Sequence, residues 1–230
     1  MYDVEVALRK KLAENSALAT LLPGNQHSVT ISDATGGSFT LTYQAKTTAA
    51  IAWNATALAV QTALAALTTV GTGNVSVSGN AGGPWVISFV GDLLDSTAAL
   101  TADGTLLEGT GHAIAVQQYA AVYNPVATPT QAAYAVLQLV TGSTEYAFGP
   151  VRASRRWRYQ VSVYNAATSI ATVAKALDAV EAALDGQTLT VGSQTVWGIT
   201  KASDNPTGAR EDGGVMWVWG SSDYYVDLGS

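Results

Sequence analysis

The sequence predicts an α+β protein in which an antiparallel or mixed sheet packs with two main helices, interrupted by a second, smaller α+β module. Three observations carry this. Apolar residues fall at helical spacing near both ends of the chain, at Val4, Leu8 and Leu12 and again at Ile170, Val173, Leu177, Val180 and Leu184. Strict alternation marks RRWRYQVSVY, where Trp157, Tyr159, Val161 and Val163 share one strand face. Between these segments the composition changes: residues 25–118 hold one lysine, Lys46, against the five acids Asp33, Asp92, Asp95, Asp103 and Glu108.

In chain order, Asp3 is placed to cap a first helix that Asn15 and Ser16 break and Pro23-Gly24 ends. A strand is expected at 28–32, and SFTLTY at 38–43 alternates as a half-buried strand does. Residues 56–67 carry Leu58, Gln61, Leu64 and Leu67 at helical spacing, with Asn54 as the expected cap. NVSVS and WVISFV then read as two strands joined by GNAGG, so the module runs strand, helix, strand, strand. Beyond residue 119, strands are expected at 134–141 and 155–164, then a helix over 168–184 that Asp185-Gly186 stops. Short strands at 188–191, 195–201, 215–219 and 224–228 complete the reading. The domains follow: residues 1–24 with 119–230 form one discontinuous α+β domain, and 25–118 form the inserted module.

Composition narrows the function. The 230 residues are 48% hydrophobic and only 12% charged, with a mean hydropathy of +0.18. So few charges leave part of the surface to be covered by other chains. A net charge of −6 argues against a protein whose main work is wrapping nucleic acid. Without cysteine there is no disulfide framework and no thiolate metal site. The N-terminal MYDVEVALRKKL lacks the apolar core of a secretory signal, and the most apolar window, 49–67, is interrupted by Asn54, Thr56, Gln61 and Thr62, so no membrane span is expected.

Several segments outside the module, taken in order, carry a resemblance. They are VEVALRKKLAENSALATLLPG, AVYNPVATPTQAAYAVLQLVTGSTEYAFG, RRWRYQVSVY, ATVAKALDAVEAALDG with TLTV, and EDGGVMWVWGSSDYYVDL. Together they resemble the phage tail-completion, or tail-terminator, proteins of long non-contractile tails. The module, through GGSFTLTYQAKTTAAIAWNATALAVQTALAAL and GNVSVSGNAGGPWVISFVGDL, resembles an accessory unit recurring in phage and bacterial surface-type proteins. The first resemblance implies a virion protein at the head-tail junction that forms a homo-oligomeric ring, typically a hexamer. Such a ring caps the tail tube protein, receives the head-completion or connector protein, and lets DNA pass without specific binding. Two alternatives stand beside it: another head-tail connector or head-completion protein, and a carbohydrate- or host-surface-binding module acting through the insert.

The chemistry-bearing residues are few. Four arginines, Arg152, Arg155, Arg156 and Arg158, crowd into RASRRWRYQVSV, and period two puts Arg156, Arg158, Gln160 and Ser162 on one polar face. That face is open to three readings: a solvated surface paired with acids, a subunit or connector contact, or a DNA contact. An acidic chain that DNA must traverse favours protein contacts, because each neutralised phosphate slows passage. His27 and His112 have no short ligand motif around them and read as loop residues; Asp92, Asp95 and Asp103 do not match a calcium loop and read as solvated acids. Trp53 and Trp85 would stack on sugars if exposed, but small cores more often bury such rings. GxSxG, Walker and HExxH motifs are lacking, so no catalytic, cofactor-binding or metal-binding residue is expected. Crowded aromatics near the C-terminus, Trp217, Trp219, Tyr224 and Tyr225, suit either an assembly surface or a core.

Overall fold

The computed structural model describes the chain except for residues 1, 125–131, 147–151, 167–169, 192–193, 213–214 and 230. For residues 2–3, 142–146, 152–155, 190, 194–197, 212 and 228–229 it describes the backbone only. The chain divides into two compact units, Met1–Pro23 with Ala120–Ser230, and Gly24–Tyr119.

The chain opens with α1 (Tyr2–Ala13) and α2 (Ser16–Leu21). Asp3, expected ahead of the helix as its cap, lies inside the first turn instead. Asn15 does break the helix, and its Oδ1 accepts a 2.9 Å hydrogen bond from the Leu18 N–H to cap α2. The ends of the first unit's two pieces meet where the Ala121 N–H donates to the Leu22 carbonyl at 2.8 Å.

The second unit contains β1 (Pro23–Ser32), β2 (Gly36–Tyr43), β3 (Lys46–Thr47), β4 (Ile51–Ala52), α3 (Ala57–Ala65), β5 (Val75–Gly79), β6 (Trp85–Phe89), β7 (Leu100–Asp103), β8 (Leu107–Glu108) and β9 (Ala113–Ala120). One sheet runs β5-β6-β1-β9, and a second is built around β2 with β3, β4, β7 and β8. Alternation decides how they meet. Phe39, Leu41 and Tyr43 of β2 and Trp85, Ile87 and Phe89 of β6 are all buried. Phe39 stacks on Trp85 with ring centres 5.4 Å apart, and Tyr43 on Phe89 at 4.1 Å. Asn54 is not the cap of α3; Thr56 is, its hydroxyl accepting from the Ala59 N–H at 3.3 Å. The helix therefore turns Val60 and Leu64 inward, and Leu58, expected on the apolar face, is 70% exposed. Strands β3, β4, β7, β8 and β9 add to the expected order of strand, helix, strand, strand.

His27 overturns its reading as a loop residue. It lies on β1, fully buried, edge-on to Phe89. Its Nε2 accepts the Leu100 N–H at 3.3 Å, joining β1 to β7 across the two sheets, so the proton of the neutral ring sits on Nδ1, which has no hydrogen-bond partner. Burial lowers its pKa to about 4. Protonation would put a second N–H against that of Leu100.

The first unit resumes with β10 (Val122–Tyr123), β11 (Ala133–Tyr146), β12 (Arg152–Asn165), α4 (Ile170–Leu184), β13 (Leu189–Val191), β14 (Gln194–Asp212) and β15 (Val215–Gly229). These strands form a mixed sheet in the order β10-β11-β12-β15-β14-β13, with β10 parallel to β11 and the other pairs antiparallel. The short strands expected at 195–201, 215–219 and 224–228 are parts of one long hairpin. Its β14 strand pairs Asp204 and Asn205 with Ser222 and Ser221 and absorbs Pro206 and Thr207 in a register shift instead of turning at them. Leu8 and Leu12 of α1, Leu18 of α2 and Val173, Ala176, Val180 and Leu184 of α4 form one core with Leu137, Tyr159, Val161, Val163, Ile199, Tyr224 and Val226 of the sheet. Each fully buried aliphatic side chain here contributes roughly 1.5–3 kcal/mol. Gly220 lets α4 approach β15, because a Cβ there would lie 2.9 Å from Leu177 Cδ1 and 3.2 Å from Val173 Cγ1.

A pH dependence follows from His27. Its folded pKa lies below the unfolded one, so its contribution is complete above pH ~6.5 and is lost as the pH falls towards 4, about 3 kcal/mol in all. Denaturant titrations of the wild type and His27→Gln across this window are expected to show a pH-dependent loss in the wild type that the variant lacks; parallel curves would contradict the assignment.

Candidate functional site

Alternation in β12 and β15 gives the six-stranded sheet two unlike faces. Trp157, Tyr159, Val161 and Val163, with Ser222, Tyr224 and Val226 across the ladder, point to the helices and are buried. The other face carries Arg156, Arg158, Gln160, Ser162 and Tyr164, opposite Asp227, Tyr225, Asp223, Ser221 and Trp219. Among the described residues no helix covers it. This face is the candidate site, and it has two zones.

The first zone is an arginine-aspartate ladder. Arg156 Nε donates to Asp227 Oδ1 at 2.8 Å and Nη2 to Oδ2 at 3.2 Å, and its guanidinium carbon lies 5.2 Å from the centre of the Tyr225 ring. Arg158 pairs with Asp223, whose side chain is fully buried while that of Arg158 is 36% exposed. Asp223 also accepts from Gln160 Nε2 at 3.1 Å and from the Ser203 hydroxyl at 3.2 Å. Burial works to raise the Asp223 pKa, but the bonds from Arg158, Gln160 and Ser203 outweigh it and hold the carboxyl below its ordinary range. The bond to Asp223 and its charge raise Arg158, so both members stay charged at neutral pH.

The second zone is aromatic. Tyr134, Tyr164, Arg210, Trp217 and Trp219 line a recess of about 420 Å³. Tyr134 stacks on Tyr164 with centres 5.1 Å apart, and meets Trp217 at 5.9 Å and Tyr123 at 6.0 Å in edge-on contacts. Burial among these rings raises the Tyr134 hydroxyl above its ordinary pKa, with Tyr164 and Tyr123 adding to the effect. Gly208, opposite Trp219 in the ladder, lets the indole lie on the β14 backbone, for a Cβ there would sit 2.4 Å from Trp219 Cζ2.

The structure thus divides the residues singled out in the sequence. Arg156 and Arg158 share the outer face, both engaged by carboxylates of the same chain. Arg152 and Arg155 lie on β12 with their side chains outside those described. Of the C-terminal aromatics, Tyr224 belongs to the core, and Trp217, Trp219 and Tyr225 lie on the outer side of the sheet. Tyr164 shares the strand face of the arginines, a signal present in the sequence, whereas Tyr134 of β11 joins it only through the pairing of the two strands. In the second unit Trp85 is fully buried and offers no ring to a ligand. Asp92, Asp95 and Asp103 are exposed, and Asp103 accepts the Thr105 N–H at 2.9 Å as a loop acid does. Among the described residues no group of three or more His, Asp or Glu side chains is gathered as a metal site would require, and no helix is long and apolar enough to cross a membrane.

What fold and face define is an α+β sheet-and-helix protein with one sheet side of paired charges and aromatic rings that no helix covers among the described residues. No protein-family model matches the chain. Over 79 residues, 34% of its length, it is 43% identical to the tail sheath protein of Mycobacterium phage Bxz1. It spans only 13% of that relative. Among solved structures, it is similar to a chain of the virion of a native gene transfer agent particle, at TM-score 0.37 and 22% identity, covering 48% of this chain and 79% of that one. It is also similar to a chain from Mycobacterium phage Patience, at TM-score 0.32 and 20% identity, covering 44% of this chain and 39% of that one.

The two ion pairs differ in burial, and their variants are expected to differ accordingly. Asp227→Asn, at a pair open to solvent, should cost about 1 kcal/mol or less. Asp223→Asn leaves Arg158 without its counter-charge beside a buried amide and should lower the denaturation midpoint clearly further. Equal midpoints in urea titrations would contradict a structural role for the Asp223 network.

Proposed function

We propose that the chain is a structural component of a phage tail or a related virion and, more specifically, a tail-terminator protein. In this reading copies form a ring, typically a hexamer, that caps the tail tube and receives the head connector. The observation that carries the proposal is the uncovered face of the six-stranded sheet. Its Arg156 and Arg158 are already neutralised by Asp227 and Asp223, and half-buried aromatic rings stand beside them. Paired charges need little further compensation on losing water, and Trp, Tyr and Arg are the residues enriched in the centres of protein interfaces.

The same pairing supports transit of DNA over capture. A face meant to grip phosphate would leave its guanidiniums free to release counterions from the duplex, whereas those of Arg156 and Arg158 are tied to carboxylates in a chain of net charge −6. The order of the segments that resemble tail-terminator proteins supports the finer assignment. The proposal assigns no residue to catalysis and needs no cofactor. A second reading, a component of the tail wall, has one observation in its favour: the 79-residue likeness to a tail sheath protein.

Cryo-electron microscopy of particles from the phage that encodes the chain, with the protein located by an epitope tag, separates the readings. A single ring at the junction of head and tail is the expected result. Density repeating along the tail would overturn the terminator in favour of the wall, and absence from the particle would overturn both.

A further inference from the structure

The β14–β15 hairpin outruns the sheet that holds it. The last residue of β12 in the ladder, Asn165, pairs with Val218, so the pairs Arg210 with Trp217, Glu211 with Met216 and Asp212 with Val215 form a two-stranded ribbon beyond β12. At roughly 3.3 Å per residue the ribbon projects about 10 Å. Val215 and Met216, on opposite faces of its end, are 41% and 39% exposed. Among the described residues these two apolar side chains leave surface exposed at the ribbon's end.

We infer that the end of this ribbon seats in the aromatic recess of a second copy of the chain, head to tail. The inference rests on the ring reading above and specifies its contact. The recess has the volume and chemistry for such a guest: about 420 Å³ between Tyr134, Tyr164, Trp217 and Trp219, large enough for a valine and a methionine side chain. It is also preorganised, because its rings pack on one another and the Trp219 indole rests on the Gly208 backbone, so little side-chain freedom is lost when it fills. Charge agrees as well. Arg210 lines the recess, and the ribbon carries the exposed Glu211 beside its apolar end.

Other occupants fit less well. A sugar needs a free ring face bordered by amide or carboxylate partners, but Tyr134 is engaged by three aromatic neighbours and Arg210 is the one charged group in the lining. A nucleic-acid strand needs several cations along its path. A reciprocal exchange of ribbons would stop at two copies, whereas the head-to-tail contact inferred here propagates from copy to copy until it closes.

The absence of native cysteine makes the test direct. Ser162→Cys places a thiol on the outer face two residues from Tyr164 without removing a wall of the recess, and Val215→Cys places one on the ribbon. A flexible bismaleimide reagent is added to the assembled full-length protein, its assembly state measured by sedimentation. The double variant is expected to give a ladder of covalent oligomers, and neither single variant should. A double variant that assembles yet stays unlinked would overturn the ribbon contact and leave the ring reading standing. Dimers from Val215→Cys alone, or only dimers from the double variant, would overturn the head-to-tail arrangement. A wild type that stays monomeric at every concentration would overturn the ring reading itself. Met216→Asp is expected to weaken self-association at least tenfold with an unchanged thermal midpoint; unchanged association would count against the contact.

Discussion

The burial of one face of β12 and β15 against three helices is the constraint on which the first unit depends. Period two allows each strand a single choice of which side chains go inward. Once Trp157, Tyr159, Val161 and Val163 are committed to the core with Tyr224 and Val226, Arg156, Arg158 and Gln160 must stand on the far side. The two faces are therefore not independently adjustable. A one-residue slip of β12 would drive arginines into the leucines and valines of α1 and α4, at the cost of burying unpaired charge. The glycines refine this arrangement in opposite directions. Gly220 on the inner side admits the α4 side chains, while Gly208 on the outer side admits the Trp219 ring.

That constraint gives physical content to the arginine cluster. The cluster looks like an electrostatic grip in the sequence because the chain separates its arginines from their partners by some seventy residues, as from Arg156 to Asp227. Antiparallel pairing of β12 with β15 sets the two side by side, Arg156 opposite Asp227 and Gln160 opposite Asp223. For Arg156 and Arg158, positive charge that is close together along the chain becomes a pair of ion pairs across the sheet. On the helix side Lys201 plays a similar part: it meets Glu181 of α4 at 2.5 Å and Asp204 at 2.8 Å, tying β14 to the helix that covers it.

Much of this was legible where one periodicity dominated. The alternation of β12 and the helical spacing of α4 both arise from a single buried face, and the sequence reading of each agrees with the structure. Legibility failed where tertiary partners replace the local signal. Asp204, Asn205, Pro206 and Gly208 spell a turn, yet Asp204 is held by Lys201 and the Ser222 hydroxyl, Asn205 donates to Ser221 at 3.1 Å, and Gly208 serves Trp219, so the strand continues through them. His27 sits between Gln26 and Ser28 and reads as polar loop; only its period with Val29 hinted at a core position. Asn54 and Thr56 are both acceptable caps by type, and the choice is made by which one has the Ala59 N–H within reach. The aromatic recess draws on β11, β12, β14 and β15 at once, so no window of sequence displays it.

The central claim is that the outer face of the six-stranded sheet is covered by protein in the working assembly. Hydroxyl-radical footprinting of free and assembled protein, read by mass spectrometry at Trp217, Trp219 and Tyr225, tests it most directly. The account predicts that oxidation of all three falls on assembly while exposed Leu58 of the second unit, a control outside this face, is oxidised as before. Equal oxidation of the three in both states would contradict it.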